Sequence, residues 1–220
     1  MLNLSSRVAL STKQGTRDEA LYAPGVCSIG IHVLLEEIGK PYDLELVNLR
    51  EGAQYKPPFT GVSPKGKVPA LERDDGSVLT EFPVIARWLG RQANLMPKDD
   101  EADTRAMEAM EYAVGTMHGQ GFARLFRSER FAPSAADHDA VKAAGREVVE
   151  KGFAVLDKAL AGKAYIAGSE FSPADTALFY CEFWAAKRLN MKLPANVAAH
   201  YDRMLARPAV QRVMQQEGLN

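Results

Sequence analysis

Cysteine is scarce in this 220-residue sequence, which contains only Cys27 and Cys181. Two cysteines cannot form a disulfide framework, so we expect a protein of a reducing, cytoplasmic compartment. The sequence also lacks any run of ~18 apolar residues, which argues against a membrane span. Its four histidines stand at no metal-ligand spacing with either cysteine, so no metal site is expected.

A basic excess is missing as well, since 27 Lys and Arg residues face 28 Asp and Glu residues and the formal net charge is −1. Such a balance gives no reason to expect binding to nucleic acid or to an anionic membrane surface. Glycine-rich phosphate loops and the nucleophile elbow of Ser-His-Asp hydrolases are absent too. What remains is a globular composition, with 46% hydrophobic and 25% charged residues.

The order of strand and helix patterns predicts an α/β plus all-α protein. Residues 1–16 carry a short apolar patch without a signal-peptide pattern, and we expect a loose N-terminal extension. Across residues 17–97 the signals run βαβ and then ββα, which is typical of a thioredoxin-like domain with a mixed sheet. The segment 94–103 has the composition of a linker. Residues 103–220 show only helical periodicity, which predicts an all-helical C-terminal domain.

The segment YAPGVCS, residues 22–28, places Cys27 at the start of a helix. A short strand over residues 19–23 leads into a Pro-Gly turn, and helical periodicity begins at Ser28. Unpaired N–H groups and the positive end of the helix dipole favour an anion there, so we expect a lowered thiol pKa and a reactive thiolate. Pro24 stands where a thioredoxin-type motif has its second cysteine. Thiol chemistry then needs a thiol from another molecule, and glutathione is the expected supplier.

Two further positions gain a candidate function from the thioredoxin-like order. An X-Pro bond is cis in only ~5–6% of cases, but this order raises that chance for the bond between Val68 and Pro69. A cis bond would turn the Val68 N–H and C=O outward beside Cys27, where they can pair with a bound tripeptide like an added strand. Glu81 opens the next helix. It either complements the helix dipole or, with nearby N–H groups, binds the ends of a γ-glutamyl group.

A group of aromatic residues and one histidine in the helical half admits two interpretations. His118, Phe122 and Phe126 recur at i, i+4 and i+8, which places them on one face of a helix. In one interpretation they pack in the core together with Tyr180 and Trp184. In the other they line a cleft against the first domain.

The segment SPAD, residues 172–175, predicts the beginning of a helix. Ser172 and Asp175 fit a capping box, with proline at the first helical position. The helix that follows is apolar on nearly all sides, which predicts the core of the helical domain. Asp175 is therefore expected to be structural and Cys181 to be buried.

The sequence resembles the glutathione transferases, and specifically their bacterial beta class. The resemblance extends from about residue 19 to the C-terminus and depends on the order and spacing of motifs that are weak one by one. These motifs are YAPGVCS (22–28), His32, SPKGKVPAL (63–71), LTE (79–81), MH (117–118), SPAD (172–175), Trp184, RPAV (207–210) and EGL (217–219).

The resemblance implies a glutathione transferase, with glutathione as co-substrate and a small hydrophobic electrophile or a disulfide-bearing molecule as acceptor. Cys27 and Ser28 would hold and activate the glutathione sulfur. A homodimer would complete the site. The implied glutathione-binding residues are Val68, Pro69, Glu81, Phe82, Lys56 and Glu111, and the implied acceptor pocket is lined by His118, Phe122 and Trp184.

Three positions depart from the family pattern. Phe82 stands where the family usually has glycine or serine, and Gly119 where the beta class tends to have lysine. Glu111 occupies the position of an asparagine that reaches the glutathione of the partner subunit, so its carboxylate would meet the ligand's ammonium group instead. In the loop 50–61, Arg50 and Lys56 are both candidates for the glycyl carboxylate.

Two alternatives stay open beside the transferase. One is a glutathione-dependent thiol–disulfide reductase in which Cys27 itself attacks the disulfide. The other is a non-catalytic scaffold or regulatory protein that holds glutathione as a structural ligand, and Phe82 and Gly119 are the features that favour it. A cysteine placed at an exposed turn, where it can react, favours an enzyme over the non-catalytic scaffold.

Overall fold

A computed structural model describes residues 17–219, and the predicted extension over residues 1–16 lies outside this range. Strands β1 (Glu19–Tyr22), β2 (Asp43–Leu46), β3 (Ala70–Glu72) and β4 (Val78–Thr80) form one sheet in the order β2–β1–β3–β4. The first two strands are parallel and the other neighbouring pairs are antiparallel. This mixed sheet confirms the thioredoxin-like order predicted from the sequence.

The helices of this half are α1 (Ser28–Ile38), α2 (Phe59–Val62) and α3 (Phe82–Gln92), with 3-10 turns at Leu49–Glu51 and Ala53–Tyr55. Local signals explain the bounds of α1. Gly25 adopts a φ of 63° in the turn before the helix, and Gly39 ends the helix at a φ of 69°. The Gly39 N–H donates to the Leu35 carbonyl oxygen at 3.1 Å and so pairs one terminal carbonyl.

The helical half begins with α4 (Asp100–Glu111), inside the segment predicted as a linker. The Asp99 side chain accepts from the Ala102 N–H at 2.9 Å and caps this helix. A π-helical segment (Tyr112–Phe122), α5 (Ala123–Phe126) and a 3-10 turn (Ser128–Arg130) follow, so the predicted helical pattern after residue 103 is not purely α-helical. The remaining elements are a 3-10 turn (Ala135–Asp137), α6 (His138–Leu160), α7 (Pro173–Phe183), a π-helical turn (Trp184–Arg188), α8 (Ala195–Leu205) and α9 (Pro208–Gln216).

α7 forms the centre of the helical core, and every residue in it is buried. The predicted capping partners meet at its start, where Asp175 Oδ2 accepts from the Ser172 N–H at 2.8 Å and from the Ser172 hydroxyl at 2.9 Å. Asp175 Oδ1 also accepts from the Ile166 N–H at 2.8 Å and fixes the preceding loop. These bonds confirm the structural role of Asp175, and Cys181 is fully buried as predicted.

α1 joins the two halves because it packs against both α7 and α9. The approach is close at Gly30, where a Cβ atom would lie 2.7 Å from the Thr176 carbonyl oxygen and 2.8 Å from the Phe82 ring. One hydrophobic core therefore continues across both halves, and the domain limits 17–97 and 103–220 stay predictions. None of the helices between residues 17 and 219 has the length and apolar character needed to cross a membrane.

Candidate active site

Cys27 immediately precedes α1, as the sequence predicts, and contacts the chain at the entry to β3. Its thiol donates to the Val68 carbonyl oxygen over 3.5 Å. The bond between Val68 and Pro69 is cis, in agreement with the prediction. The Cys27 sulfur atom therefore links the start of α1 to the segment that leads into β3.

The pKa of the Cys27 thiol contradicts the sequence prediction. Burial of the sulfur raises this pKa to about 12, although the N–H groups of Ser28 and Cys27 and the charge of Lys67 act to lower it. The hydrogen bond to Val68 also favours the neutral thiol, because only the protonated sulfur can donate it. The helix terminus is therefore too weak to ionise Cys27 in the protein without ligand.

Ser28 corrects a second prediction, its direct catalytic role. The side chain is fully enclosed, and its hydroxyl donates to the Ala23 carbonyl oxygen at 3.1 Å while accepting from the Ala23 N–H at 3.2 Å. Both bonds close the turn before α1. Ser28 therefore holds Cys27 in place rather than contacting a substrate.

Residues of the helical half hold the same turn from the other side. Glu217 Oε2 accepts from the Gly25 N–H at 2.7 Å, and Trp184 Nε1 donates to the Gly25 carbonyl oxygen at 2.9 Å. The second oxygen of Glu217 pairs with His32 Nδ1 at 2.8 Å. Sequence reasoning assigned no function to His32 or Glu217, because no local pattern links them to Gly25.

The predicted face of His118, Phe122 and Phe126 packs on Trp184. Their ring centroids lie 4.9 Å, 5.3 Å and 5.5 Å from that of the indole, respectively. Phe122 is fully buried and supports the indole, Trp184 is itself 5% exposed, and their predicted place in an acceptor pocket stays a prediction. Phe126 is 39% exposed and is therefore the phenylalanine on this face that a ligand can contact.

His118 is neutral at physiological pH. Burial, assisted by the positive charge of Lys67, lowers the pKa of its imidazole to about 4. Its Nδ1 atom lies 3.3 Å from the Tyr180 hydroxyl. Lys67 is exposed and adjoins Val68, so one cation influences both Cys27 and His118. The sequence analysis included Lys67 in a motif but gave it no function.

Glu81 lies at the N-terminus of α3 in an uncommon backbone conformation, with φ 69° and ψ 122°. Non-glycine residues held at positive φ cluster at functional sites. The Glu81 carboxylate is exposed and accepts from Lys65 Nζ at 2.8 Å, and the same ammonium group donates to Thr80 Oγ1. The Glu81 carboxylate is thus already paired with the ammonium group of Lys65.

Phe82 differs from its predicted role, since its ring is buried in the core and not in a glutathione site. The ring is 4% exposed and packs edge-on against Tyr180, with 5.3 Å between centroids. The space beside Gly30 admits the ring because that residue has no side chain. Only the Phe82 backbone can then contact a ligand.

Lys56 and Glu111 are both exposed, and no described contact connects either to Cys27 or Val68. Lys56 Nζ donates to the Glu51 carbonyl oxygen at 2.9 Å, within its own loop. Glu111 ends α4, and its charge contributes to the raised pKa of Tyr180, after burial and the nearby cysteines. Their predicted contacts with glutathione stay predictions.

The described residues, 17–219, also bear on metal binding and contain a separate cavity. No group of three or more His, Cys, Asp or Glu residues is placed to hold a metal ion. A cavity of ≈430 Å³ lies beside Asp18, Lys40 and Trp88, before the start of β1. Cys27 follows the other end of this strand, so that cavity is not part of the candidate site.

Two family models match the chain. The N-terminal domain of glutathione S-transferase matches residues 26–92, and the C-terminal domain matches residues 139–215. Glutathione S-transferase GstA of Escherichia coli O157:H7 is 34% identical over 205 residues, which cover 90% of this chain and 98% of that protein.

Solved structures agree with this match. A glutathione transferase homologue from Sulfitobacter with bound glutathione has a TM-score of 0.85 at 26% identity, covering 94% of this chain and 100% of that one. A bacterial beta-class glutathione S-transferase from Sphingomonas chungbukensis has a TM-score of 0.79 at 33% identity, covering 92% and 100%. The chain belongs to the glutathione S-transferase family.

Proposed function

We propose that the chain binds glutathione beside Cys27 and transfers the glutathione thiolate to an electrophilic or disulfide-bearing acceptor. The observation that carries this proposal is the contact of the Cys27 sulfur with the Val68 carbonyl oxygen at 3.5 Å. It places a thiol at the backbone edge that can pair with an extended tripeptide. In the complex, the cysteinyl N–H of glutathione donates to the Val68 carbonyl oxygen. The Cys27 S–H group then donates to the glutathione sulfur instead.

Glu81 is the proposed partner of the γ-glutamyl ammonium group. Its carboxylate is held by Lys65 at 2.8 Å, and both side chains are about half exposed. An exposed ion pair contributes only ~0–1 kcal/mol, so a ligand ammonium can replace Lys65. The Phe82 N–H at the start of α3 then faces the γ-glutamyl carboxylate, because Pro83 has no N–H and the Val84 N–H donates to the Glu81 carbonyl oxygen. Lys56 and Arg50 remain our candidates for the glycyl carboxylate, and Glu111 for the ammonium of glutathione in the partner subunit.

The raised pKa of Cys27 favours transfer over reduction by Cys27 itself. With a pKa of about 12, only ~1 in 10⁵ of these thiols is ionised at pH 7, and the thiolate is the nucleophile. A neutral thiol can instead donate a hydrogen bond to a glutathione thiolate and stabilise it. The bound glutathione sulfur is thus the nucleophile in the proposed reaction.

The acceptor lies between the two halves in this proposal. Phe126, which is 39% exposed, and the neutral imidazole of His118 pack on the buried Trp184 ring and give that side an apolar surface, which fits a small hydrophobic electrophile. We further propose a cytoplasmic homodimer. Cys27 and Cys181 are free, as expected in a reducing compartment.

The test compares wild type with Cys27→Ser and Cys181→Ala, using glutathione with chlorodinitrobenzene and, separately, with a glutathione mixed disulfide. Cys27→Ser should retain conjugation within about tenfold, because a serine hydroxyl still donates a hydrogen bond to the thiolate. Cys181→Ala, which changes a buried thiol, should resemble wild type. Complete loss of both activities in Cys27→Ser alone would establish the reductase instead. Retention on immobilised glutathione without turnover would favour the scaffold.

A further inference from the structure

The Tyr180 hydroxyl is a polar group in the core that the proposed function does not use. Tyr180 is 0% exposed and lies on α7. Its hydroxyl lies 3.3 Å from His118 Nδ1 and also shares a side-chain hydrogen bond with the Cys181 thiol. A buried hydroxyl that donates to no acceptor is costly, so the direction of this bond determines where the imidazole proton resides.

We propose that Tyr180 is a positioning residue whose hydroxyl donates to His118 Nδ1, so that the imidazole proton resides on Nε2 and is offered to the acceptor in the cleft. This inference deepens the proposed function and rests on it, because the offered N–H acts only on a bound acceptor.

The charge states of both groups are compatible with this direction. Burial raises the pKa of Tyr180 well above its ordinary value, so the phenol keeps its proton. His118, with a pKa of about 4, is a neutral imidazole with one N–H and one bare nitrogen. In our proposal the phenol proton points to Nδ1 rather than to the Cys181 sulfur, and Nδ1 is then the bare nitrogen. The titratable groups near the pair are Cys27, Cys181, Glu111 and Lys67.

The imidazole ring is oriented by two aromatic neighbours. It meets the Tyr180 ring at 81° with 5.6 Å between centroids, and the Trp184 ring at 89° with 4.9 Å between centroids. Within residues 17–219, His118 Nε2 has no hydrogen-bond partner, and it is not among the buried atoms that lack one. That nitrogen is therefore unpaired in this range and not fully buried.

In this arrangement the Phe82 ring supports the position of Tyr180. Its ring packs against Tyr180 at 67° and occupies the space behind the phenol. The usual glycine or serine at this family position would leave that space unfilled. The departure at Phe82 thus helps to hold Tyr180 against His118.

The chemical step needs no proton transfer to or from His118. A lone pair of the glutathione thiolate forms the new bond to the acceptor atom, and the electron pair of the broken bond leaves with the halide or thiolate. The Nε2–H group hydrogen-bonds to this departing anion and stabilises its charge. Since the imidazole is neutral throughout, its contribution should not depend on pH above about 5.

The first test is histidine ¹⁵N NMR, which distinguishes the two neutral tautomers directly. Wild type should show His118 as the Nε2–H tautomer, assigned by its absence in His118→Gln, and Tyr180→Phe should show a mixture of tautomers. Tyr201→Phe is a matched control, since the Tyr201 hydroxyl is also buried but has no described partner. It should leave the His118 signals unchanged. An Nδ1–H tautomer in wild type, or unchanged signals in Tyr180→Phe, would overturn the proposal.

The second test is a double-mutant cycle with glutathione and chlorodinitrobenzene. Tyr180→Phe should lower kcat about three- to tenfold, the loss expected for one neutral hydrogen bond. In the His118→Gln background the same substitution should have no further effect. An equal loss in both backgrounds would overturn the proposal, because Tyr180 would then act through packing alone. If wild type shows no conjugation, the proposed function fails, and the NMR result still decides the Tyr180 bond.

Discussion

His200 is the residue through which the stabilising effect of a charge buried in the helical core can be measured. It lies on α8, fully buried, with Glu182 Oε1 2.8 Å from its Nδ1 and Asp175 Oδ1 3.1 Å from its Nε2. Burial alone would lower the pKa of the imidazole, but the Glu182 charge and the hydrogen bonds to Asp175 and Glu182 raise it to about 10. At neutral pH the raised pKa leaves His200 as a buried imidazolium beside Glu182 and Asp175.

The perturbation is His200→Gln, which keeps hydrogen-bonding groups but removes the positive charge. Asp175 retains its bonds from Ile166 and Ser172, whereas Glu182 has His200 as its only hydrogen-bond partner in the described range. Removing one partner of a buried ion pair costs about 3–5 kcal/mol, because the other charge is left uncompensated. Burial already raises the pKa of Glu182, so we expect its carboxyl to take up a proton in the variant.

Urea denaturation at pH 7 and one fixed protein concentration measures this loss, since the stability of the proposed dimer would depend on concentration. His138→Gln is the matched control, because its ring bonds only to the Ala132 carbonyl oxygen at 3.1 Å, and its cost should stay within about 1 kcal/mol. Glu182→Gln should restore part of the stability of His200→Gln, since no buried charge then lacks a partner. A loss below ~1 kcal/mol in His200→Gln would refute the buried imidazolium.

Alkaline pH tests the same charge in the wild-type protein. The pKa of His200 is about 10 in the folded state, above the ordinary value of 6.5. Its stabilisation is thus fully present below the unfolded pKa and declines as pH rises toward 10. Wild type should lose unfolding free energy across this range more steeply than His200→Gln does, and parallel profiles would contradict the charge assignment.

Glu217→Gln should lower kcat/KM about tenfold without unfolding the protein, because Gly25 and His32 lose a charged partner; unchanged steady-state kinetics would show that the turn is held in another way. Glu81→Gln should raise the glutathione Kd about tenfold or more in calorimetry. Lys65→Met should not raise it, and a rise with Lys65→Met would indicate that the lysine itself binds glutathione. Acid should destabilise wild type more steeply than His118→Gln as pH falls from 6.5 to about 4, because the unfolded imidazole takes up its proton first; equal slopes would contradict this.

Elements with local signals were predictable from the sequence. The Pro-Gly turn and Gly39 delimit α1, and the Ser172 and Asp175 pair marks the start of α7. The cis bond before Pro69 followed from the order of elements, since the motif alone gives it a low probability. Each of these features depends on residues close together in the chain, or on the order of secondary structure.

Properties that depend on distant burial were not predictable. The helix terminus at Cys27 is a local feature and suggests a lowered pKa, but the desolvation that raises the pKa comes from the folded surroundings. The sulfur bonds to Val68, 41 positions away in the sequence. Phe82 is a similar case, because only the contact of α1 with α7 shows that its ring is buried. Sequence spacing cannot report either effect.

The hydrogen bonds of Gly25 show why the candidate site depends on the whole chain. Its N–H bonds to Glu217, 192 positions away, and its carbonyl oxygen bonds to Trp184, 159 positions away. If either partner were lost while the turn stays buried, one backbone group would be left unpaired, at a cost of roughly 1–3 kcal/mol. The turn that carries Cys27 would then lose its position relative to Val68. The helical half therefore contributes to the glutathione side of the site as well as to the acceptor side.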